Sequence, residues 1–271
     1  MSRPDDAWTG DVAPKLAVRD LAVWFGSRRV VELERLDLGT AEILGLAGES
    51  GSGKSMTALA ILGLAGTVGA RVDGSVRLDG EELMGLPEDH VRRVRGRRLA
   101  MIFQSPVSAL DPLTRVGDLF VRTLRLHGAP REEARDRAVE ALRAVLLPPE
   151  LLRRYPHQLS GGQAQRVAIA MALALRSEVP LADEPTSALD VTVQAEILEL
   201  LRRVREERRM AILFISHDLA VIAELCDRVA VMREGRVVEE GPTRSVLDGP
   251  RDPYTRALVA AVPRLGEGAR A

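Results

Sequence analysis

The sequence has little of the residues from which several kinds of site are built. Its one cysteine, Cys226 of 271 residues, excludes an internal disulfide and any cysteine-rich zinc or iron–sulfur site. Aromatic residues make up only 3%, which argues against base stacking as the main task of the protein. The net charge of −1 provides no overall basic field. We therefore expect a reducing compartment and no nucleic-acid partner.

Long apolar runs are also absent. No stretch approaches the roughly 18 consecutive apolar residues of a membrane span, and the opening MSRPDDAWTG lacks the apolar centre of a signal peptide. Hydrophobic residues at 46% and charged residues at 28% are typical of a globular chain. The length predicts one large domain or two small ones.

The hydrophobic pattern predicts strands that alternate with helices. Residues 15–23 and 30–38 alternate apolar and polar side chains, whereas 43–47, ILGLA, is a short buried-type run. Further short strands are expected at 75–78, 99–103, 211–215, 229–232 and 236–240, and helices at 56–62, 164–175 and 191–209 and from 130 to before 148. We expect an α/β fold with a mostly parallel sheet, preceded by antiparallel β and interrupted by an all-helical region at 106–175.

A phosphate-binding motif follows the ILGLA strand. Residues 48–55, GESGSGKS, fit the pattern G-x-x-x-x-G-K-[ST] between a predicted strand and a predicted helix. In such a loop successive N–H groups and the helix N-terminus face phosphate oxygens. Lys54 is expected to reach the β- and γ-phosphates, and the Ser55 hydroxyl is expected to bind Mg²⁺.

Two further segments suit a nucleotide site. Asp183 and Glu184 follow a short apolar run, where a magnesium ligand and a base for water are required. Leu159–Gln163, LSGGQ, places a Ser-Gly-Gly turn before a helix and so creates a second anion-receptive helix N-terminus. Two such elements, far apart in sequence, can serve one nucleotide only if they come from different subunits that face each other.

Together, GESGSGKS, LSGGQ and ADEPTSALD resemble the ATP-binding cassette family, the ATPase subunits of ABC transporters, over nearly the whole chain. The resemblance implies a P-loop NTPase with a RecA-like core, an N-terminal antiparallel β subdomain and an inserted helical subdomain. It also implies a sandwich dimer, in which two ATP molecules each lie between the P-loop of one subunit and the signature motif of the other.

The resemblance assigns roles to individual residues. Glu184 would be the general base, His217 in FISHD the switch histidine at the γ-phosphate, and Gln104 in MIFQSP the glutamine that contacts Mg²⁺ and water. Ser55, Gln104 and Asp183 would be the magnesium ligands. Nucleotide contacts would come from Phe25 at the adenine, with Trp24 as a competitor for that role, and from Gly48, Glu49, Ser50, Gly51, Ser52, Gly53, Lys54, Ser55, Met56, Ser160, Gly161, Gly162, Gln163 and Asp190.

The C-terminal sequence, EGRVVEEGPTRSVLDGPRDPYTRALVAAVP, resembles the oligopeptide, dipeptide and nickel importer branch. We expect an N-terminal extension at 1–14, an ATPase domain at 15–250 with its helical subdomain at about 106–175, and an importer-type extension at 251–271. The implied partners are two permease subunits, a second identical or different ATPase, and indirectly an extracytoplasmic binding protein. The implied location is the cytoplasmic face of the membrane, and peptides, nickel and a nickel chelate are all compatible cargoes.

Pro180 departs from the family pattern. A proline removes a hydrogen bond from the interior of a sheet, so we expect Asp183 and Glu184 to be displaced or the strand to begin only at Leu181. Our hypothesis is a less stable domain that still hydrolyses ATP. Two alternatives stay open: a nucleotide-binding structural subunit with a degenerate site, and a soluble non-transport ABC ATPase.

Overall fold

The computed structural model describes residues 13–104 and 110–261. Their contacts divide the chain into two compact units. Thr40–Glu42 and Gly85–Leu213 form the second unit, and the described residues before, between and after these ranges form the first unit. The chain therefore passes from the second unit into the first within the strand that contains Leu213 and Phe214.

The order of the elements matches the predicted alternation closely. The strands are β1 (Leu16–Phe25), β2 (Arg28–Leu38), β3 (Ile43–Ala47), β4 (Arg71–Leu78), β5 (Glu81–Glu82), β6 (Leu99–Ile102), β7 (Val179–Asp183), β8 (Ile212–Ser216), β9 (Arg228–Arg233) and β10 (Arg236–Pro242). The helices are α1 (Lys54–Ile61), α2 (Glu88–Val94), α3 (Val116–Leu126), α4 (Arg131–Ala144), α5 (Gly161–Leu175), α6 (Val191–Arg208), α7 (Leu219–Leu225), α8 (Thr243–Asp248) and α9 (Pro253–Ala261), and short 3-10 turns lie at Ala65–Val68, Pro149–Arg153 and Pro156–Gln158.

An antiparallel sheet lies in the first unit. Its four strands run in the order β2-β1-β4-β5, with β1 paired to both β2 and β4. Side chains of β1 alternate between buried and partly exposed positions, because one face of the sheet packs on the core. The predicted antiparallel β structure near the N-terminus is confirmed.

The first unit also contains parallel strands. Every residue of β3 is buried, and β3 runs parallel to β9, while β10 pairs antiparallel with β9. A strand with both faces covered needs a continuous apolar run, which explains ILGLA. A β-carbon on Gly45 would lie 3.0 Å from Sγ of the buried Cys226 and 2.9 Å from Ile222, so α7 packs closely on β3. Burial raises the pKa of the Cys226 thiol, which keeps it in its unreactive form.

The second unit combines a parallel strand pair with helices. β6 pairs with β7 in parallel, with Leu99 opposite Val179 and Ile102 opposite Ala182. The described residues of 106–175 form α3, α4, α5 and two 3-10 turns, and none of them is in a strand. The all-helical prediction is therefore confirmed for the described part of that region.

Pro180 lies inside β7, opposite Ala100 of β6, so the expectation that this strand begins at Leu181 is wrong. The physical reason is the orientation of the missing donor. Val179 donates its N–H to Arg98 O at 2.8 Å, on the side of β6. Successive N–H groups of a strand point to opposite edges, so the nitrogen of Pro180 lies on the other edge, where Glu178 O accepts from Ala211 N. The proline costs one bond on that edge and leaves the pairing with β6 intact.

Other differences concern short helices. The arginine-rich segment 92–98 begins within α2, a helix that was not predicted from the sequence, and Arg92 and Arg93 are exposed in its last turn. The short helices α7, α8 and α9 were not predicted from the sequence. In the part of the chain that the structure describes, no helix is both long enough and apolar enough to cross a membrane.

The proline in β7 makes a prediction for stability. Pro180→Val restores a donor on the affected edge and should raise the free energy of unfolding by up to about 1 kcal/mol, the net value of one hydrogen bond. The melting temperature should then rise by roughly 2–4 °C, as measured by circular dichroism. Pro87→Val, at an exposed position outside any strand, is the control. An unchanged or lower melting temperature for Pro180→Val would contradict this account.

Candidate active site

The phosphate-binding loop lies between β3 and α1, as predicted. Gly48 has φ of 144°, and a β-carbon there would lie 2.2 Å from Met232 O. Gly53 has φ of 106°, and a β-carbon there would lie 2.9 Å from the side chain of Met232 and 3.1 Å from the carbonyl of Val30. Only glycine permits this backbone path, because an L side chain would be both strained and in collision with β9.

Lys54 points back into this loop. Its side chain is buried, with 6% exposure, and Nζ donates to Gly48 O at 2.7 Å and to Glu49 O at 2.8 Å. The N-cap residue of α1 is Gly53, which has no side chain with which to bond the first N–H groups of the helix. A positive side chain beside an uncapped helix N-terminus fits a phosphate group.

The remaining residues of the loop differ in exposure. Around Gly51 a β-carbon would meet nothing within 4 Å, so ligand atoms could approach the backbone there. Glu49, Ser50, Gly51 and Ser55 are exposed, Ser52 is buried, and Met56 is half-buried in α1. The sequence-predicted residues 48–56 are thus brought together in the first unit.

The two aromatic residues at the end of β1 differ in how far their rings are exposed. Phe25 is 37% exposed, at the last position of the strand. Trp24 is covered by two guanidinium groups, since Cζ of Arg29 and Cζ of Arg71 each lie 5.3 Å from its ring centroid. The exposed ring is that of Phe25, which favours Phe25 over Trp24 as the ring that stacks on a base.

The acidic pair lies at the end of β7 in the second unit. Asp183 is the last residue of the strand and is 4% exposed, and Glu184 is 7% exposed with φ of 51°. The Glu184 carbonyl accepts hydrogen bonds from Ser187 Oγ at 3.0 Å and from Ser187 N at 3.3 Å. The turn that follows is therefore closed onto the backbone of Glu184, which holds that backbone in place.

The LSGGQ segment opens α5 with a reciprocal cap. Ser160 Oγ accepts from Gln163 N at 3.2 Å, and Gln163 Oε1 accepts from Ser160 N at 3.0 Å. A β-carbon on Gly161 would meet nothing within 4 Å, whereas one on Gly162 would lie 3.2 Å from Ala188 O. The backbone of Gly161 is consequently open on its outer side, and that of Gly162 packs against the SALD turn.

The second unit therefore brings three predicted elements together. Gln165 of α5 donates from Nε2 to Glu184 O at 3.4 Å, which links the signature helix to the acidic pair. Asp190 ends the SALD turn and caps α6 by accepting from Val193 N at 3.0 Å. Gln165 is fully buried and was missed from the sequence, because a glutamine two residues beyond LSGGQ carries no recognisable signal.

Gln104 and His217 each lie shortly after the end of a strand. Gln104 is exposed two residues after β6, and the segment 105–109 that follows lies outside the described residues. His217 is exposed directly after β8, where Asp218 caps α7 by accepting from Ala220 N at 2.8 Å. Gln104 belongs to the second unit and His217 to the first.

Candidate oxygen donors for Mg²⁺ occur in both units. Within the described ranges no group of three or more His, Cys, Asp or Glu side chains could hold a metal ion. Mg²⁺ prefers one or two protein oxygens together with water and phosphate oxygens, so such a cluster is not required. The Ser55 hydroxyl in the first unit and the buried Asp183 carboxylate in the second unit are each donors of the kind that Mg²⁺ selects.

One contact of the P-loop was not foreseen. The backbone N–H of Glu49 donates to the hydroxyl of Tyr254, in α9, at 3.1 Å. The sequence contains PYT as a marker of the importer branch, but nothing in the motif indicates what the tyrosine touches.

Comparison with known families agrees with the geometry. A family model described as "ABC transporter" matches residues 34–187, and one described as "Oligopeptide/dipeptide transporter, C-terminal region" matches residues 238–271. The first match spans more than half of the 271 residues and contains the P-loop, the signature motif and the acidic pair.

Individual relatives extend the match to almost the whole chain. The oligopeptide transport ATP-binding protein OppD of Salmonella typhimurium is 46% identical over 262 residues, which cover 94% of this chain and 78% of OppD. The glutathione import ATP-binding protein GsiA of Escherichia coli K12 is 44% identical, over 98% of this chain and 44% of GsiA.

A solved ATP-binding cassette, a post-hydrolysis dimer bound to ADP and Pi, has a TM-score of 0.77 and 29% identity and covers 84% of this chain and 99% of that chain. The predicted fold class, a P-loop NTPase of the ABC type, is confirmed by this likeness. With its P-loop, its capped LSGGQ helix and its Asp-Glu pair, the chain belongs to the ABC transporter family, as an ATP-binding subunit that hydrolyses ATP.

Proposed function

We propose that the protein energises a membrane importer of peptides by binding and hydrolysing ATP. The observation that carries this proposal is the joining, in one chain, of an ABC nucleotide site to the C-terminal region of oligopeptide and dipeptide transporters. OppD and GsiA are named for oligopeptide and glutathione import, which favours peptides over nickel or a nickel chelate as cargo.

The first unit is the proposed nucleotide-binding element. The backbone N–H groups of residues 48–56 would surround the phosphates, and Lys54 would exchange its carbonyl partners for the β- and γ-phosphate oxygens. Phe25 would stack on the adenine, since its ring is exposed at the end of β1. His217, on the short link between β8 and α7, would donate a hydrogen bond to the γ-phosphate.

Hydrolysis is assigned to residues of the second unit. Glu184 is the proposed general base, which takes a proton from the attacking water, and the closed turn at its carbonyl holds its backbone in place. Mg²⁺ would supply charge neutralisation to the β- and γ-phosphates. Ser55, Asp183 and Gln104 are its proposed protein ligands, directly or through water.

A second ATPase subunit completes the proposed site. The N-terminus of α5, with the open backbone at Gly161, would face ATP held by the P-loop of the partner copy or sibling. Gly162 and Asp190 would contribute from the same surface, because the SALD turn packs on Gly162. ATP would then draw the two subunits together, and hydrolysis would release them.

We further propose the assembly and its location. Two permease subunits would bind this ATPase and its partner at the cytoplasmic face of the membrane, and an extracytoplasmic binding protein would select the peptide. The proposed boundaries are an extension at 1–14, the ATPase domain at 15–250 with a helical subdomain at about 106–175, and an importer-type extension at 251–271. The model match at 238–271 supports the last of these.

Glu184→Gln tests the catalytic assignment. Loss of the general base should lower ATP turnover of the complex reconstituted with its permeases by about 10²–10⁴-fold, while MgATP affinity is retained. Turnover is measured by phosphate release and affinity by fluorescence of a MANT-labelled nucleotide. Glu140→Gln, an exposed acid on α4, is the charge-matched control and should behave as wild type. Unchanged turnover in Glu184→Gln would instead favour the structural-subunit alternative.

Alanine substitutions at the two glycines of the signature motif test the proposed dimer site. Gly161→Ala adds a methyl group to an open position, so the melting temperature should be preserved while turnover falls roughly 10–100-fold, because the methyl group lies where the partner's ATP is proposed to bind. Gly162→Ala places its methyl group against Ala188 O and should lower the melting temperature as well. Full turnover in Gly161→Ala would refute the proposed dimer site.

If Phe25 stacks on the adenine, substitutions at Phe25 and at Trp24 should differ in their effect on the KM for ATP. Phe25→Ala should raise the KM for ATP by about 5–100-fold, the range expected for one stacked base. Phe25→Tyr should restore it. Trp24→Phe should leave the KM unchanged, since the arginines already cover the Trp24 ring. A larger effect at Trp24 than at Phe25 would reverse the assignment.

A further inference from the structure

The C-terminal segment touches the phosphate-binding loop through one side chain. Tyr254 lies in the first turn of α9, and its hydroxyl accepts a hydrogen bond from the N–H of Glu49 at 3.1 Å. The two residues are 205 positions apart in the sequence. Glu49 is the second residue of the GESGSGKS loop, so the contact connects the importer-type extension to the nucleotide site.

The tyrosine is itself held by strands of the first unit. The Glu239 carboxylate in β10 accepts from Arg251 N at 2.8 Å and from Asp252 N at 3.0 Å. Asp252 Oδ1 then accepts from Tyr254 N at 2.8 Å, and Cζ of Arg233 in β9 lies 5.1 Å from the Tyr254 ring centroid. These contacts hold the backbone of Tyr254 and place a guanidinium group beside its ring, which favours the position of the hydroxyl at the loop.

In the loop, both backbone groups of Glu49 form hydrogen bonds. The Glu49 N–H donates to Tyr254, and the Glu49 carbonyl accepts from Lys54 Nζ at 2.8 Å. Beside this contact a cleft of about 450 Å³ runs along the outer face of the loop, with Ser50, Gly51 and Tyr254 among its lining residues. Tyr254 therefore restrains an exposed part of the loop that has open space next to it.

A loop fixed before its ligand arrives binds that ligand more tightly, because less conformational entropy is lost on binding. We propose that Tyr254 is a positioning residue that braces the P-loop at Glu49, so that nucleotide affinity of this ATPase depends on its C-terminal extension. This inference rests on the proposed nucleotide site at residues 48–56. Because the brace acts on the loop and not on the general base, it should change the affinity for ATP and ADP alike and leave the rate of hydrolysis of bound ATP unaltered.

Tyr254→Phe is the sharpest test. It removes the acceptor oxygen and keeps the ring beside Arg233. The Kd values for MgATP and MgADP, measured on the full-length chain with MANT-labelled nucleotides, should each rise about 3–10-fold, the effect of one lost hydrogen bond. In the permease complex the KM for ATP should rise similarly with kcat unchanged, and any fall in melting temperature should stay within the roughly 2–4 °C expected for one lost hydrogen bond.

Tyr155→Phe is the matched control, since the chain has two tyrosines and the ring of Tyr155 stacks on His157 in the second unit. It should bind both nucleotides as wild type does. If wild type binds MgATP and Tyr254→Phe has the same or a higher affinity, the brace is refuted and the proposed function stands. If wild type itself fails to bind MgATP, both proposals fall. A drop in kcat with unchanged KM would also refute the brace, because it would place the effect on the chemical step.

Discussion

The structure of the proposed nucleotide site depends on a loop whose own backbone holds its lysine. Lys54 donates to the carbonyls of Gly48 and Glu49, so two main-chain oxygens of the loop hold its ammonium group. That arrangement requires glycine at Gly48, where a β-carbon would collide with the backbone of Met232, and the N-cap residue of α1 is also a glycine, Gly53. The fully buried β3 places the loop, because a strand covered on both faces cannot shift without exposing its apolar side chains.

In the second unit, hydrogen bonds likewise hold a helix N-terminus in place. Its helix α5 begins with a reciprocal Ser160–Gln163 cap, which satisfies end groups of the helix while the outer side of Gly161 stays open. Gln165 and the SALD turn then tie that helix start to the backbone of Glu184. The signature helix and the backbone of the proposed general base are therefore joined by short contacts within one compact unit.

Much of this was predictable because motifs of this kind encode backbone geometry. GESGSGKS predicted a strand before it and a helix after it, and the alternation over residues 15–23 predicted the half-buried strand β1. The contact between Glu49 and Tyr254 was not predictable, since hydrogen bonds between distant segments leave no periodic signal. Pro180 was misjudged for a related reason: the sequence shows that a donor is missing, but only the pairing of Val179 with Arg98 shows on which edge it is missing.

ATP-driven peptide uptake tests the central claim most directly. The ATPase, its partner subunit and two permeases would be reconstituted in vesicles with MgATP enclosed, and a labelled peptide mixture would be added outside with the binding protein. The account predicts peptide accumulation that stops when the enclosed nucleotide is replaced by a non-hydrolysable analogue. Hydrolysis without any uptake of peptide, or uptake that persists with the analogue, would contradict it.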